Sequence, residues 1–142
     1  MKLIFTGDVN FRNKESITPE EAAKALGQVK PYFDAADFRI VNLECPLADG
    51  EFDPIKKSGP NLISPSSCLC FLEAGRVDLA TLANNHIGDY GEQPVIDTMK
   101  LLDANGIKHC GAGANLDEAY GAAYLEKDGV RVAIISACEN EF

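Results

Sequence analysis

Residues 77–91 read V-D-L-A-T-L-A-N-N-H-I-G-D-Y-G, and the change of character halfway along decides the fold. Val77–Ala83 is a short apolar run, long enough for a strand and too short for a helix. Asn84, Asn85, His86 and Asp89 then fall within six positions, closed by Gly88 and Gly91. A buried strand that opens into amide, imidazole and carboxylate groups is how an open α/β sheet presents a site. Ligands sit outside the carboxyl ends of its strands, where the loops carry the polar groups.

Toward the N-terminus, Ser64-Pro65 opens a short helix through Leu72-Glu73, ended by Gly75. Asp49–Pro65 carries Gly50, Pro54, Gly59, Pro60 and Pro65 and has no period. Irregular loops of that length in compact domains are usually functional or mobile. Phe38–Glu44 reads as a strand ending in a carboxylate and stopped by Cys45-Pro46. Thr18-Pro19-Glu20-Glu21 is a helix start, with a hydroxyl N-cap, proline at the first helical position and acids over the first turn. Ala22, Ala23, Leu26, Val29 and Phe33 continue it at helical spacing. Lys2–Thr6 is a first strand that breaks off at Gly7-Asp8.

Toward the C-terminus, Glu92–Asn105 is a helix with Val95, Ile96, Met99 and Leu102 on one face and Asn105-Gly106 at its end. Ile107–Cys110 is a fourth short strand, followed by the loop Gly111–Asn115 and a helical turn or two at Leu116–Tyr120. Ala123–Glu126 and Val130–Ala137 are β-rich runs joined by a turn containing Asp128-Gly129, a hairpin signal. The alternation predicts an α/β fold: a mostly parallel sheet with helices on both faces, one domain over residues 1–142.

Composition narrows the function classes. The chain has 142 residues, 46% apolar and 25% charged, enough for one buried core and without a disorder signature. A net charge of -9 argues against holding nucleic acid or anionic lipid through a basic surface, and is compatible with binding cations. Met1-Lys2 runs directly into Leu3-Ile4-Phe5 with no signal-peptide core, and no apolar run reaches membrane-spanning length, so a cytoplasmic location is expected. Cys45, Cys68, Cys70, Cys110 and Cys138 are scattered without C-x-x-C pairs; they read as reduced thiols serving as small apolar residues.

In a parallel sheet the strand ends face one edge, so Asp8, Glu44 and Asn85-His86 with Asp89 converge there although distant in sequence. Carboxylate and amide oxygens with an imidazole are the ligand set of a divalent metal such as Mn, Mg, Zn or Fe. Asp8 or Glu44 could bridge two ions, Asn85 could bind through its side-chain oxygen, and His86 could hold a metal or give a proton to a leaving oxygen. Plainer roles stand beside each. Asp8 is a common turn residue after a strand. Asn42-Leu43-Glu44 could simply terminate one. Asn84-Asn85-His86 could be a capping network, though buried amides and imidazole are costly unless paired. Asp89 could cap the helix that follows. His109 reads as structural. Gly111-Ala112-Gly113 lacks the third glycine of a dinucleotide fingerprint and reads first as a turn whose amides might line a substrate edge.

Gly7-Asp8-Val9, Asn42-Leu43-Glu44-Cys45-Pro46, Leu82-Ala83-Asn84-Asn85-His86 with Asp89 and Gly91, and Gly111-Ala112-Gly113 with Asn115, Glu118 and Ala119 together resemble the bacterial capsule-synthesis family (CapA, or PGA-cap), a branch similar to the calcineurin-like metallophosphatases. The resemblance covers nearly the whole chain, and its N-L-E-x-P and A-N-N-H-x-x-D-x-G pieces are the specific ones. It implies half of a four-layer α/β/β/α metallophosphatase-like fold. It also implies a metal centre for one or two ions drawing on Asp8, Glu44 and Asn85, with His86 as the acid that assists the leaving group. Asn10, Asn42, Asn84, Asp89, Gly111 and Gly113 would line the substrate or support the ligands. Asn10 stands where metallophosphatases carry the histidine of Asp-x-His, and Glu44 where they carry an aspartate. Family members continue with a His-Gly-x-Glu-like motif and further histidines, so the chain is expected to be the N-terminal half of a family domain.

Three functions follow. The first is a metal-dependent phosphoesterase-like hydrolase. The second is a non-hydrolytic component of poly-γ-glutamate or capsule synthesis whose pocket binds polymer, anion or partner. The third is an inert fragment, and catalysis is the least expected for this chain alone. The expected partners are an anionic polymer or phosphate ligand and a second copy through an exposed sheet face, with no nucleic acid and no membrane segment.

Overall fold

The structure, a computed structural model, describes residues 1–11 and 15–139. Its centre is a four-stranded sheet of β1 (Leu3–Val9), β2 (Phe38–Leu43), β3 (Leu79–Thr81) and β4 (Lys108–Cys110), in that order and parallel throughout. The expected parallel α/β architecture is therefore what the chain adopts.

The sheet sorts its residues by the two-residue period of a strand. Val41, Leu43, Ala80 and Leu82 fall in one apolar cluster with Leu69, Leu72, Met99 and Leu102. These last come from α3 (Leu69–Ala74) and α4 (Glu92–Ala104). Ile40, Leu79 and Cys110 point the other way and pack with Leu125 and Ile134. Those belong to a hairpin of β5 (Ala123–Lys127) and β6 (Val130–Ile134). The second face is thus covered by β-structure. Helices, parallel sheet and hairpin give an α layer, a β layer and strands of a further β layer, consistent with half of a metallophosphatase-like fold.

The hairpin turns on Asp128 (φ 54°) and Gly129 (φ 74°), a two-residue loop with both residues left-handed, as the Asp-Gly pair predicts. Lys127 at its tip is ion-paired with Asp37, just before β2. On its outer side the Arg131 guanidinium lies 4.0 Å above the Tyr124 ring.

α1 (Pro19–Leu26) begins with a capping box: Thr18 Oγ1 accepts from Glu21 N–H at 3.2 Å, and Glu21 accepts from Thr18 N–H at 2.9 Å. The single helix expected as far as Phe33 is two, with α2 (Lys30–Asp34) starting afresh at Lys30-Pro31 after a break at Gly27. Proline has no N–H to continue a ladder, so it restarts the helix at its first turn. α4 is locked to the segment after β2 by Thr98, whose buried hydroxyl accepts from Leu47 N–H at 2.8 Å and donates to the Pro94 carbonyl at 2.6 Å. All five cysteines are free, and burial pushes the Cys68 thiol up to about 11, in keeping with small apolar roles.

β1 differs from expectation in the way that matters most for the site. It does not end at Gly7-Asp8 but runs through them to Val9. Phe5 pairs with Ile40 and Asp8 with Asn42, so three steps along β1 match two along β2. The extra residue is a bulge. Without it Asp8 would point to the helix side; with it Asp8 joins the face of Asn42.

Candidate functional site at the strand ends

Asn42 ties the first three strands together. Its Nδ2 donates to Asp8 Oδ1 at 2.6 Å. Its Oδ1 accepts from Thr81 Oγ1 at 3.2 Å and from Asn84 Nδ2 at 3.4 Å. Asn84 also donates to the Leu43 carbonyl at 2.8 Å and accepts from His86 N–H at 3.0 Å. The amide at 84 is therefore spent on holding the loop, as a capping network would have it. Asn85 differs: among the described residues its half-buried side-chain amide makes no hydrogen bond.

Two positions beyond Asn42, Glu44 accepts a hydrogen bond from Asn10 Nδ2 and lies 3.8 Å from His86 Nε2. The opposite ring nitrogen, Nδ1, is 2.7 Å from Asp89 Oδ2. Of the contacts at Nδ1 the carboxylate oxygen is the nearer, and it calls for a proton on that nitrogen; a ring carrying no second proton presents Nε2 bare toward Glu44 and the strand ends. Asp89 does not cap α4; Gly91 holds that position without a side-chain bond. It is fully buried instead, and its partners come from the long loop. Lys57 is ion-paired to Oδ1, and Leu62 N–H donates to Oδ2 at 2.7 Å. The Asp89 carbonyl accepts from Ile55 N–H at 2.9 Å and Asn61 Nδ2 at 3.1 Å. Lys57 Nζ also lies 3.2 Å from His86 Nδ1 and 3.3 Å from the Asn85 carbonyl oxygen.

The structure links seven of the expected residues in one network and leaves the Asn85 side chain outside it. Asp8, Asn42 and Asn84 run across the strand ends; Asn10, Glu44, His86 and Asp89 form its other arm. Sequence reasoning missed Lys57, Asn61 and Leu62. The only signal was indirect, an aperiodic loop too long to be idle.

Gly111 and Gly113 stand apart from this network, and packing accounts for both. Gly111 has φ +90°, and a Cβ there would come within 2.7 Å of Ala83 N and Ser136 Cβ. A Cβ at Gly113 would meet Glu118 Cβ at 2.4 Å. Gly111 also borders a cleft of about 330 Å³ beside the site, shared with Asn84, Ile87 and Ser136. His109 is structural: it sits on β4 with Nε2 3.2 Å from Asp103 Oδ1.

Asp8, Glu44 and Asn85 offer oxygens of the kind hard divalent cations take. Among the described residues, however, no three His, Cys, Asp or Glu side chains gather closely enough to hold a metal ion. The donors are right in kind and short in number. No helix among those residues is long and apolar enough to cross a membrane.

Comparison with known proteins identifies the family. The model of the family described as "Bacterial capsule synthesis protein PGA_cap" matches residues 2–141. The "Capsule biosynthesis protein CapA" of Bacillus anthracis is 31% identical over 140 residues, 95% of this chain and 34% of that protein. The "PGA biosynthesis protein CapA" of Bacillus subtilis is 28% identical over 134 residues, 92% of this chain and 35% of that protein. A probable polyglutamine synthesis accessory protein of Mycobacterium tuberculosis is 36% identical over 108 residues, 75% of this chain and 28% of that protein. The chain spans about a third of the length of these relatives. With the family match running from the first strand past the hairpin, the chain belongs to the bacterial capsule synthesis protein family.

Proposed function

We propose that this chain contributes the strand-end part of a site that handles an anionic unit in capsule or poly-γ-glutamate synthesis, with His86 as its proton-handling group. The observation that carries the reading is the histidine's mounting: Nδ1 fixed on a buried carboxylate at 2.7 Å, Nε2 turned toward Glu44 at 3.8 Å. A ring held on one nitrogen and bare on the other is set up to accept or give a proton at one place.

An anion approaching this edge meets Asp8 and Glu44, and like charges repel it. A divalent cation held by Asp8, Glu44 and the Asn85 amide oxygen supplies, when bound, the positive charge that offsets this. Its remaining donors would come from the anion itself and from water. The chain's own residues do the rest. Asn42 and Asn10 hold the two carboxylates in place, Asn84 fixes the loop, and His86 meets the ligand oxygen through Nε2. Proton transfer at that atom would serve a phosphoesterase-like step; binding without it would serve polymer handling. The small donor set among the described residues favours binding over hydrolysis as the part this chain performs.

Calorimetric titration with Mn²⁺, with and without inorganic phosphate, tests the reading. Tighter Mn²⁺ binding in the presence of phosphate, lost in Glu44→Gln, supports it. Absence of binding at millimolar Mn²⁺ in both conditions overturns it.

A further inference from the structure

The aperiodic loop carries one lysine into the interior. The Lys57 side chain is 1% exposed and the Asp89 side chain 0%, and the two form an ion pair. A lysine ammonium is rarely buried without a specific anion. The other buried cationic side chain among the described residues, Arg39, lies at the opposite end of the sheet. It donates to the Phe33 and Ala36 carbonyls at 3.0 and 2.8 Å and to Asp78 at 2.8 Å, a purely structural set. Lys57 differs because its nitrogen lies 3.2 Å from the imidazole that faces the site.

We propose that Lys57 is a positioning residue: acting through Asp89, it holds His86 in the tautomer with the proton on Nδ1 and Nε2 bare at the strand ends. This rests on the reading of His86 as the operative group. The Asp89 carboxylate is occupied on both sides, Oδ1 by the ammonium and Oδ2 by Leu62 N–H and the ring, each at 2.7 Å. With these bonds made, the carboxylate cannot turn, and neither can the ring bound to it. Ile55 N–H and Asn61 Nδ2 pin the same stretch of loop to the Asp89 backbone, so the lysine is delivered at a fixed height. Without the ammonium, Asp89 is free to rotate away from Nδ1, and the ring can lose that proton to water and take one back on the other nitrogen. The neutral ring's single proton then sits on Nε2, and an acceptor at the edge becomes a donor.

The test is a long-range proton–nitrogen correlation spectrum of the ¹⁵N-labelled chain. Its two histidines make assignment direct, with His109 as internal reference. Wild type is expected to show His86 as a single Nδ1–H tautomer. Lys57→Met is expected to raise the Nε2–H population severalfold, and Lys57→Arg to restore the wild-type pattern, a rescue that filling space alone would not produce. Should Lys57→Met fail to fold, Lys57→Gln, which keeps an N–H for Asp89 without the charge, carries the same expectation. A folded Lys57→Met or Lys57→Gln whose His86 pattern matches wild type overturns the proposal. The underlying reading fails separately, if His86→Asn leaves the phosphate-enhanced Mn²⁺ binding unchanged.

Discussion

Asn42 shows how much of this site hangs on one amide. Its nitrogen and oxygen together reach Asp8, Thr81 and Asn84, so β1, β2, β3 and the His86 loop share a single fixed point. Asn42→Ala leaves those partners to water or to nothing. The expected loss is about 1–3 kcal/mol, the usual cost of orphaning part-buried polar groups, read by urea denaturation. Mn²⁺ binding should weaken in the same variant even where it remains folded, because Asp8 loses the bond that orients it. Much of this was legible from the sequence: consecutive amides beside an imidazole at a buried strand end need partners, and Asn42 and Asn84 supply them to each other and to the backbone. Lys57 was not legible. Its partner Asp89 is 32 residues away, and no period in the intervening loop announces that a lysine turns inward.

At the scale of elements, the bulge in β1 decides which way the first carboxylate faces. The sequence reads Gly7 as a strand breaker, yet the backbone continues through it, and only the register with β2 reveals the extra residue. A Cβ placed on Gly7 meets nothing within 4 Å, so the position needs the residue's presence more than its smallness. Deleting Gly7 is expected to straighten the strand and turn Asp8 away from Asn42, abolishing phosphate-enhanced Mn²⁺ binding, whereas Gly7→Ala should keep most of it; calorimetry on the two variants checks this. The hairpin was legible from Asp128-Gly129, but its seat on the second face was not, since pattern alone does not say which layer a hairpin joins. Its tether is the ion pair of Lys127 with Asp37, which lowers the carboxyl of Asp37 and raises the ammonium of Lys127. The carboxyl's contribution is present above the ordinary aspartate value of about 3.9 and lost as pH falls through its lowered one. The ammonium's is present below the ordinary lysine value of about 10.4 and lost as pH rises through its raised one. The tether should therefore hold across the neutral range and loosen only in acid below the ordinary aspartate range. Amide exchange in β5 and β6, corrected for its intrinsic pH dependence, should show this in wild type and not in Lys127→Met.

For the molecule as a whole, one face carries the helices, the other carries the hairpin, and the chemistry gathers at the shared carboxyl end of the parallel strands. The hairpin leaves part of its face uncovered: Phe5 lies on that side and is 58% exposed. Self-association through this patch is expected, and Phe5→Glu should shift the sedimentation-velocity profile toward monomer. A profile independent of concentration in wild type would remove that partner. The family supplies a setting in capsule or polyglutamate synthesis, and the strand-end network supplies the place where this chain would act in it. Paramagnetic broadening by substoichiometric Mn²⁺ with phosphate, followed in proton–nitrogen spectra, tests that placement most directly. Signals of Asn10, Asn42, Asn85 and His86 should broaden first while His109 stays sharp. Broadening that begins instead around Asp97 or Asp103, or that spreads evenly over the acidic surface, would contradict it.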